Sequence, residues 1–192
     1  IRDAEGVEKF VCGGEESFGF MTGDFVRDKD SCGSILVACE IAAWCKANGR
    51  TMYQYMIDIY KKVGVYQEAL VNVVRKGRTG AEEISQMMID FRNNPPKSLA
   101  GSLVKEVKDF QEQTCLDAIS GEKKVMNDIP KSNVLIYYTE DGTKICIRPS
   151  GTEPKIKFYF SVKGSISSEA DYKTEVARLE KKIDIVKKDL KL

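Results

Sequence analysis

The residues Arg148-Pro149-Ser150-Gly151-Thr152-Glu153-Pro154-Lys155 crowd a short turn with groups that suit a phosphate dianion. Arg148 presents a planar fork of donors, Ser150 and Thr152 present hydroxyls, and the amides around Gly151 can point inward as a small anion nest. No carboxylate stands between Arg148 and Thr152 to compete for that position. Pro149 and Pro154 stiffen the backbone on either side, and Gly151 permits a positive φ that a side chain would resist. An ordinary exposed turn between two strands is the alternative these residues leave open.

A second chemical cluster lies at Gly13-Gly14-Glu15-Glu16-Ser17-Phe18-Gly19. Two carboxylates and a hydroxyl between glycines are acceptors that suit sugar hydroxyls. Val7 to Cys12 reads as a strand that opens at Gly13-Gly14 into a loop running to about Arg27, and open α/β sheets place ligands at such strand ends. In an extended loop Glu15 and Ser17 face one side while Glu16 faces the other. Lys29, within Arg27-Asp28-Lys29-Asp30, adds a positive charge near a helix start. A solvated acidic turn is the alternative here.

The elements that must hold these groups follow from periodicity and punctuation. Asp30 caps a helix in which Ile35, Leu36, Cys39, Ala42 and Ala43 recur at helical spacing until Asn48-Gly49, and Thr51 caps a second helix ending at Gly64. Tyr66 to Val74 is strand-like. A helix after Gly77-Arg78-Thr79-Gly80 aligns Ala81, Ile84, Met87, Met88 and Phe91 and closes at Asn94-Pro95-Pro96. Ser102 to Lys108 reads as a strand, whereas Gln111 to Ser132 has no assignable pattern. Val134 to Tyr138 and Lys144 to Ile147 alternate across Asp141-Gly142, a hairpin signal. The phosphate-suited turn follows, and then Ile156, Phe158, Phe160 and Val162 alternate inward against Lys155, Lys157, Tyr159 and Ser161. From Ser167, Tyr172, Val176, Leu179, Ile183, Val186 and Leu190 form a stripe expected to lie across the sheet, a coiled-coil seam being the competing arrangement. The fold class is therefore α+β: a C-terminal domain, residues 64–192, with an antiparallel sheet backed by helices, preceded by a partial α/β domain, residues 1–63.

Composition sets limits. Thirty basic and twenty-nine acidic residues give a formal charge of +1, so no general field draws the chain to nucleic acid or to a membrane surface. No apolar run approaches the roughly 18 residues of a spanning helix, and a cytoplasmic location is the default. A chain that begins at Ile1 without an initiator Met is expected to be a piece of a longer product. The cysteines, Cys12, Cys32, Cys39, Cys45, Cys115 and Cys146, form no Cys-x-x-Cys pair and read as reduced small hydrophobes. With no histidine, a thiol protease dyad, a serine triad and the common His-containing zinc sites are excluded.

At the two loops the sequence resembles the α-D-phosphohexomutase family, the phosphoglucomutases and phosphomannomutases. Gly14-Glu15-Glu16-Ser17 is similar to the family's sugar-recognition loop, and Arg148 through Pro154 is similar to its C-terminal phosphate loop. The resemblance implies a four-domain enzyme of which this chain is the end of the third domain plus the fourth. It implies a phosphosugar as substrate, a sugar bisphosphate as intermediate, and phosphoserine and magnesium loops in the earlier domains. The chain then carries no catalytic and no metal residue, needs those earlier domains as partners, and is not expected to turn over alone. Arg148, Ser150, Gly151 and Thr152 would hold the non-reacting phosphate, with Lys155 at the rim. Glu15 and Ser17 would bind ring hydroxyls, and Lys29 matches a family lysine near the phosphate. Several family members place a histidine soon after the sugar-loop Ser, whereas this chain has Phe18-Gly19-Phe20. Glucose phosphate is the first choice; mannose phosphate, a pentose phosphate as in phosphopentomutases, a non-catalytic phosphosugar-binding module and a dimerisation domain using the Tyr172 to Leu190 stripe stay open.

Overall fold

The computed structural model describes residues 10–15, 19–26, 28–75, 77–126 and 129–192. The chain forms two compact units, Ile1–Ile59 and Tyr60–Leu192.

In the first unit, strands β1 (Gly13–Glu15) and β2 (Gly19–Met21) pair antiparallel and lead to helix α1 (Ser31–Ala47), with helix α2 (Met52–Val63) beginning just beyond it. The expected strand does not appear here: residues 7–9 lie outside the described residues, and Phe10 to Cys12 are not in a strand. The expected loop is instead a hairpin, because Gly13 and Gly14 pair with Met21 and Phe20 across it. Asp30 caps α1 as expected, its Oδ1 accepting from Gly33 N at 2.6 Å. Thr51 caps α2 reciprocally: Gln54 N donates to Thr51 Oγ1 at 3.1 Å and Thr51 N to Gln54 Oε1 at 2.9 Å. Along α1, Ile35 and Leu36 remain 63% and 62% exposed.

The second unit is a sheet of β3 (Val65–Val74), β4 (Ser98–Leu99), β5 (Ser102–Asp109), β6 (Thr114–Asp117), β7 (Lys123–Val125), β8 (Leu135–Thr139), β9 (Lys144–Pro149) and β10 (Lys155–Gly164). The order is β3-β10-β9-β8-β5-β6-β7, with β4 paired to β5, and every pairing is antiparallel. Helix α3 (Gly77–Asn93) packs on β9 and β10, and α4 (Tyr172–Asp189) packs on β3 and β10.

Alternation explains the core. Ile156, Phe158, Phe160 and Val162 are buried, and the register lines them up with Ile145 and Ile147 of β9 and, beyond these, with Leu135 and Tyr137 of β8. Phe91 of α3 meets Phe158 edge-on at 5.7 Å, and the Tyr137 hydroxyl donates to Phe91 O at 2.8 Å. Leu179, Ile183, Val186 and Leu190 are buried, so the α4 stripe is spent on the sheet and is not a free dimerisation seam. Burying such side chains stabilises the unit by roughly 1.5–3 kcal/mol each. Two polar ties fix the periphery. Arg92 Nε donates to Asp109 Oδ2 at 2.7 Å, and Lys182 Nζ donates to Asp141 Oδ2 at 2.6 Å, joining α4 to the β8–β9 turn.

Candidate functional site

The turn at 150–154 is held by the longest ladder among the described residues. β10 pairs with β3 along its whole length and with β9 from Ile156 to Ser161, so the bend has a strand on either flank. Ser150 N donates to Lys155 O at 2.8 Å and closes its base, while Arg75 N, at the end of β3, donates to Pro154 O at 2.9 Å. Within the bend Thr152 N donates to Ser150 Oγ at 3.4 Å, and the two hydroxyl oxygens lie 3.5 Å apart. The hydroxyls therefore converge.

Ser150, Gly151, Thr152, Glu153 and Pro154 form one wall of a 330 Å³ cavity whose other wall is Gly77, Ala81 and Ile84 of α3. Gly151 does not use the positive φ open to it; the segment between Ser150 and Lys155 reverses the chain without one. A Cβ on Gly151 would meet nothing within 4 Å, so what glycine supplies here is an unshielded amide.

Arg148 does not line this cavity. It alternates with the buried Ile147, so its side chain leaves the sheet on the side away from the helices, where it is exposed. Lys157 is its register partner on β10 and shares that side. Lys157 was not singled out from sequence, although the outward alternation of Lys155, Lys157 and Tyr159 carried the signal; only the register places it beside Arg148. Lys155 forms an ion pair with Glu153. The hydrogen bond and charge of Lys155 hold the Glu153 carboxyl below its usual range. One carboxylate thus engages the outermost cation of the turn.

In the first unit, Glu15 pairs with Gly19 at the end of the β1–β2 hairpin. A Cβ on Gly19 would come within 2.6 Å of Lys29 Cγ, so the Lys29 stem lies directly over this glycine. Backbone bonds between Phe20 and Asp30, at 3.3 and 3.4 Å, hold β2 against the start of α1 and bring Lys29 to that position. Glu15 and Lys29, separated by a long loop in sequence, are brought to one end of the hairpin. Ser17 lies outside the described residues. Among the described residues no group of three His, Cys, Asp or Glu side chains could hold a metal ion, and no helix is long and apolar enough to cross a membrane.

Both parts of the chain match known proteins. Residues 3–63 match the family described as phosphoglucomutase/phosphomannomutase, alpha/beta/alpha domain III, and residues 100–179 match phosphoglucomutase/phosphomannomutase, C-terminal domain. The phosphoglucomutase of Staphylococcus aureus (strain MRSA252) is 34% identical over 85% of this chain, and that of Staphylococcus haemolyticus (strain JCSC1435) is 34% identical over 84%. The chain spans 29% of the length of each of these relatives. The fold is similar to the open form of the exocytosis-sensitive phosphoprotein pp63/parafusin, a phosphoglucomutase from Paramecium. That likeness has a TM-score of 0.56 and 16% identity, and covers 94% of this chain and 30% of the other. Two matches to one family, in order and over most of the length, leave a single conclusion: the chain belongs to the α-D-phosphohexomutases, the phosphoglucomutase/phosphomannomutase family.

Proposed function

We propose that this chain is the sugar- and phosphate-gripping part of a phosphohexomutase that moves a phosphoryl group reversibly between the anomeric and terminal positions of a hexose phosphate. Residues 1–63 would form the end of the sugar-binding domain and residues 64–192 the phosphate-binding one. The observation that carries this reading is the bend between β9 and β10, where two hydroxyls converge beside a cavity and two cations share the adjoining strand ends.

The proposed chemistry needs one phosphate held still while the other reacts, in either orientation of the sugar. Ser150, Gly151 and Thr152 would donate to the spectator phosphate oxygens from the bend. Arg148 and Lys157 would neutralise its charge from the strand ends. Lys155, freed from Glu153, would add a contact at the rim. Glu15 and Ser17 would accept from ring hydroxyls, and Lys29, over Gly19, would add a positive charge. Phosphoryl donation falls to residues outside this chain. Magnesium, typical of the family, would serve there too: the described residues do not fit such an ion, and no step here passes through it.

Calorimetric titration of the chain tests this directly. Glucose 6-phosphate is expected to bind, inorganic phosphate to bind more weakly, and glucose without phosphate not measurably. Turnover is expected only when the earlier domains are present. Equal affinity for glucose and glucose 6-phosphate would refute the assignment of the bend.

A further inference from the structure

The sheet of the second unit is covered by helices on one side only. On β10 the buried residues Ile156 to Val162 alternate with Lys157, Tyr159, Ser161 and Lys163, which stay partly or fully exposed on the other side. The register carries Lys144 and Arg148 of β9, Tyr138 of β8 and Lys108 of β5 to this same open side.

Charge is segregated there. Lys108, Lys124, Lys144, Arg148, Lys155, Lys157 and Lys163 share the face with the acids Glu68, Glu106 and Asp117, on a chain whose formal net charge is only +1. Glu106 is engaged with Lys108 at 3.2 Å. Several of the ammonium groups, Lys108 included, also rest on rings. Lys108 and Lys144 Nζ lie 5.3 and 6.0 Å from the Tyr138 centroid, Lys157 Nζ 5.9 Å from Tyr159, and Lys163 Nζ 5.3 Å from Tyr66. Lysines and phenol hydroxyls make this a surface rich in donors.

We propose that this open face docks an extended acidic polypeptide segment. Lys157 and Lys163 are about 20 Å apart along the strand at roughly 3.3 Å per residue, a span that suits an extended segment whose carboxylates recur on alternate residues. Nucleic acid fits less well. Stacked bases need free aromatic faces, and here those faces already carry ammonium groups that a base would have to displace. The proposal does not rest on the sugar-phosphate reading, since the partner needs neither sugar nor phosphate.

Fluorescence anisotropy with a labelled glutamate dodecapeptide and the full chain tests it. Binding is expected at low salt, weakening toward about 0.15 M as the charges are screened. Neutralising two cations of this side, the half-buried Lys144 and the exposed Lys163, as Lys144→Gln with Lys163→Gln, is expected to weaken it about tenfold. Lys181→Gln with Lys188→Gln, at exposed positions of α4, is the matched control and should leave it unchanged. Lys144→Arg with Lys163→Arg should retain binding and separates lost charge from lost fold. Absence of binding at low salt, equal losses in both neutralised pairs, or tighter binding of a labelled oligothymidylate of the same length would overturn the proposal.

Discussion

Replacing Arg148 and Lys157, singly and together, probes how the strand ends share one phosphate. Arg148 is exposed and makes no hydrogen bond or ion pair among the described residues, so Arg148→Ala should alter stability by less than about 0.5 kcal/mol. A charge-assisted hydrogen bond to a bound phosphate contributes roughly 1.5–3 kcal/mol, and every 1.4 kcal/mol or so is a factor of ten. Arg148→Ala should therefore weaken glucose 6-phosphate binding by about tenfold to a hundredfold, with an unchanged melt. Lys157, whose ammonium rests near Tyr159, should behave similarly but toward the lower end, because a single ammonium lacks the planar fork of a guanidinium. As register partners gripping one dianion, the two should couple: the double variant should depart from the sum of the singles by at least about 0.5 kcal/mol. Calorimetry on the four proteins reads each quantity. Unchanged affinity in Arg148→Ala would refute a role in gripping phosphate, and strictly additive losses would refute a shared ligand.

Glu15→Ala should weaken glucose 6-phosphate binding while leaving inorganic phosphate binding intact; equal losses for both ligands would contradict the division between the hairpin and the bend. Asp109→Ala would leave the Arg92 guanidinium, whose side chain is only 16% exposed, with Asn133 Oδ1 but no counter-charge, would remove the acceptor of the Gln111 and Glu112 amides, and should cost about 3 kcal/mol in denaturant unfolding. A loss below about 1 kcal/mol would mean that the pair is better solvated than its burial implies. Burial opposes ionisation of Asp141, but hydrogen bonds from Lys182, Thr139 and Thr143 outweigh it and hold the carboxyl well below its ordinary 3.8. Its contribution is therefore fully present above that value and is lost as pH falls beneath it. Asp141→Asn should cost about 1 kcal/mol at neutral pH, discounted for its 39% exposure, and converge with the parent in strong acid; a gap that widens there would reverse the sign.

Much of this architecture was legible because it is local. Asp30 before an apolar periodic run, Thr51 three residues before Gln54, and Gly142, with φ 83°, in the β8–β9 turn all announce their elements through nearby chemistry. The alternation of β10 gave its buried side residue by residue. What escaped was non-local. β6 and β7 are short and mostly polar, and their strand character comes from pairing onto β5, which no window over Gln111 to Ser132 could reveal. The β1–β2 hairpin was hidden for the same reason, since glycine-rich strands of three residues show no period. At the site, the residue types of the bend were readable from sequence. The partnership of Arg148 with Lys157 and the wall that α3 lends to the cavity depend on sheet order, which is set by packing across the whole unit.

Amide-resolved NMR titration of the isotope-labelled chain with glucose 6-phosphate locates the bound phosphate most directly. The largest shifts are expected at the amides of Ser150, Gly151 and Thr152, with smaller ones at Arg148, Lys157 and Gly77, and inorganic phosphate should reproduce the first group. Saturable binding with those amides unmoved, and the shifts gathered elsewhere, would contradict binding at the bend.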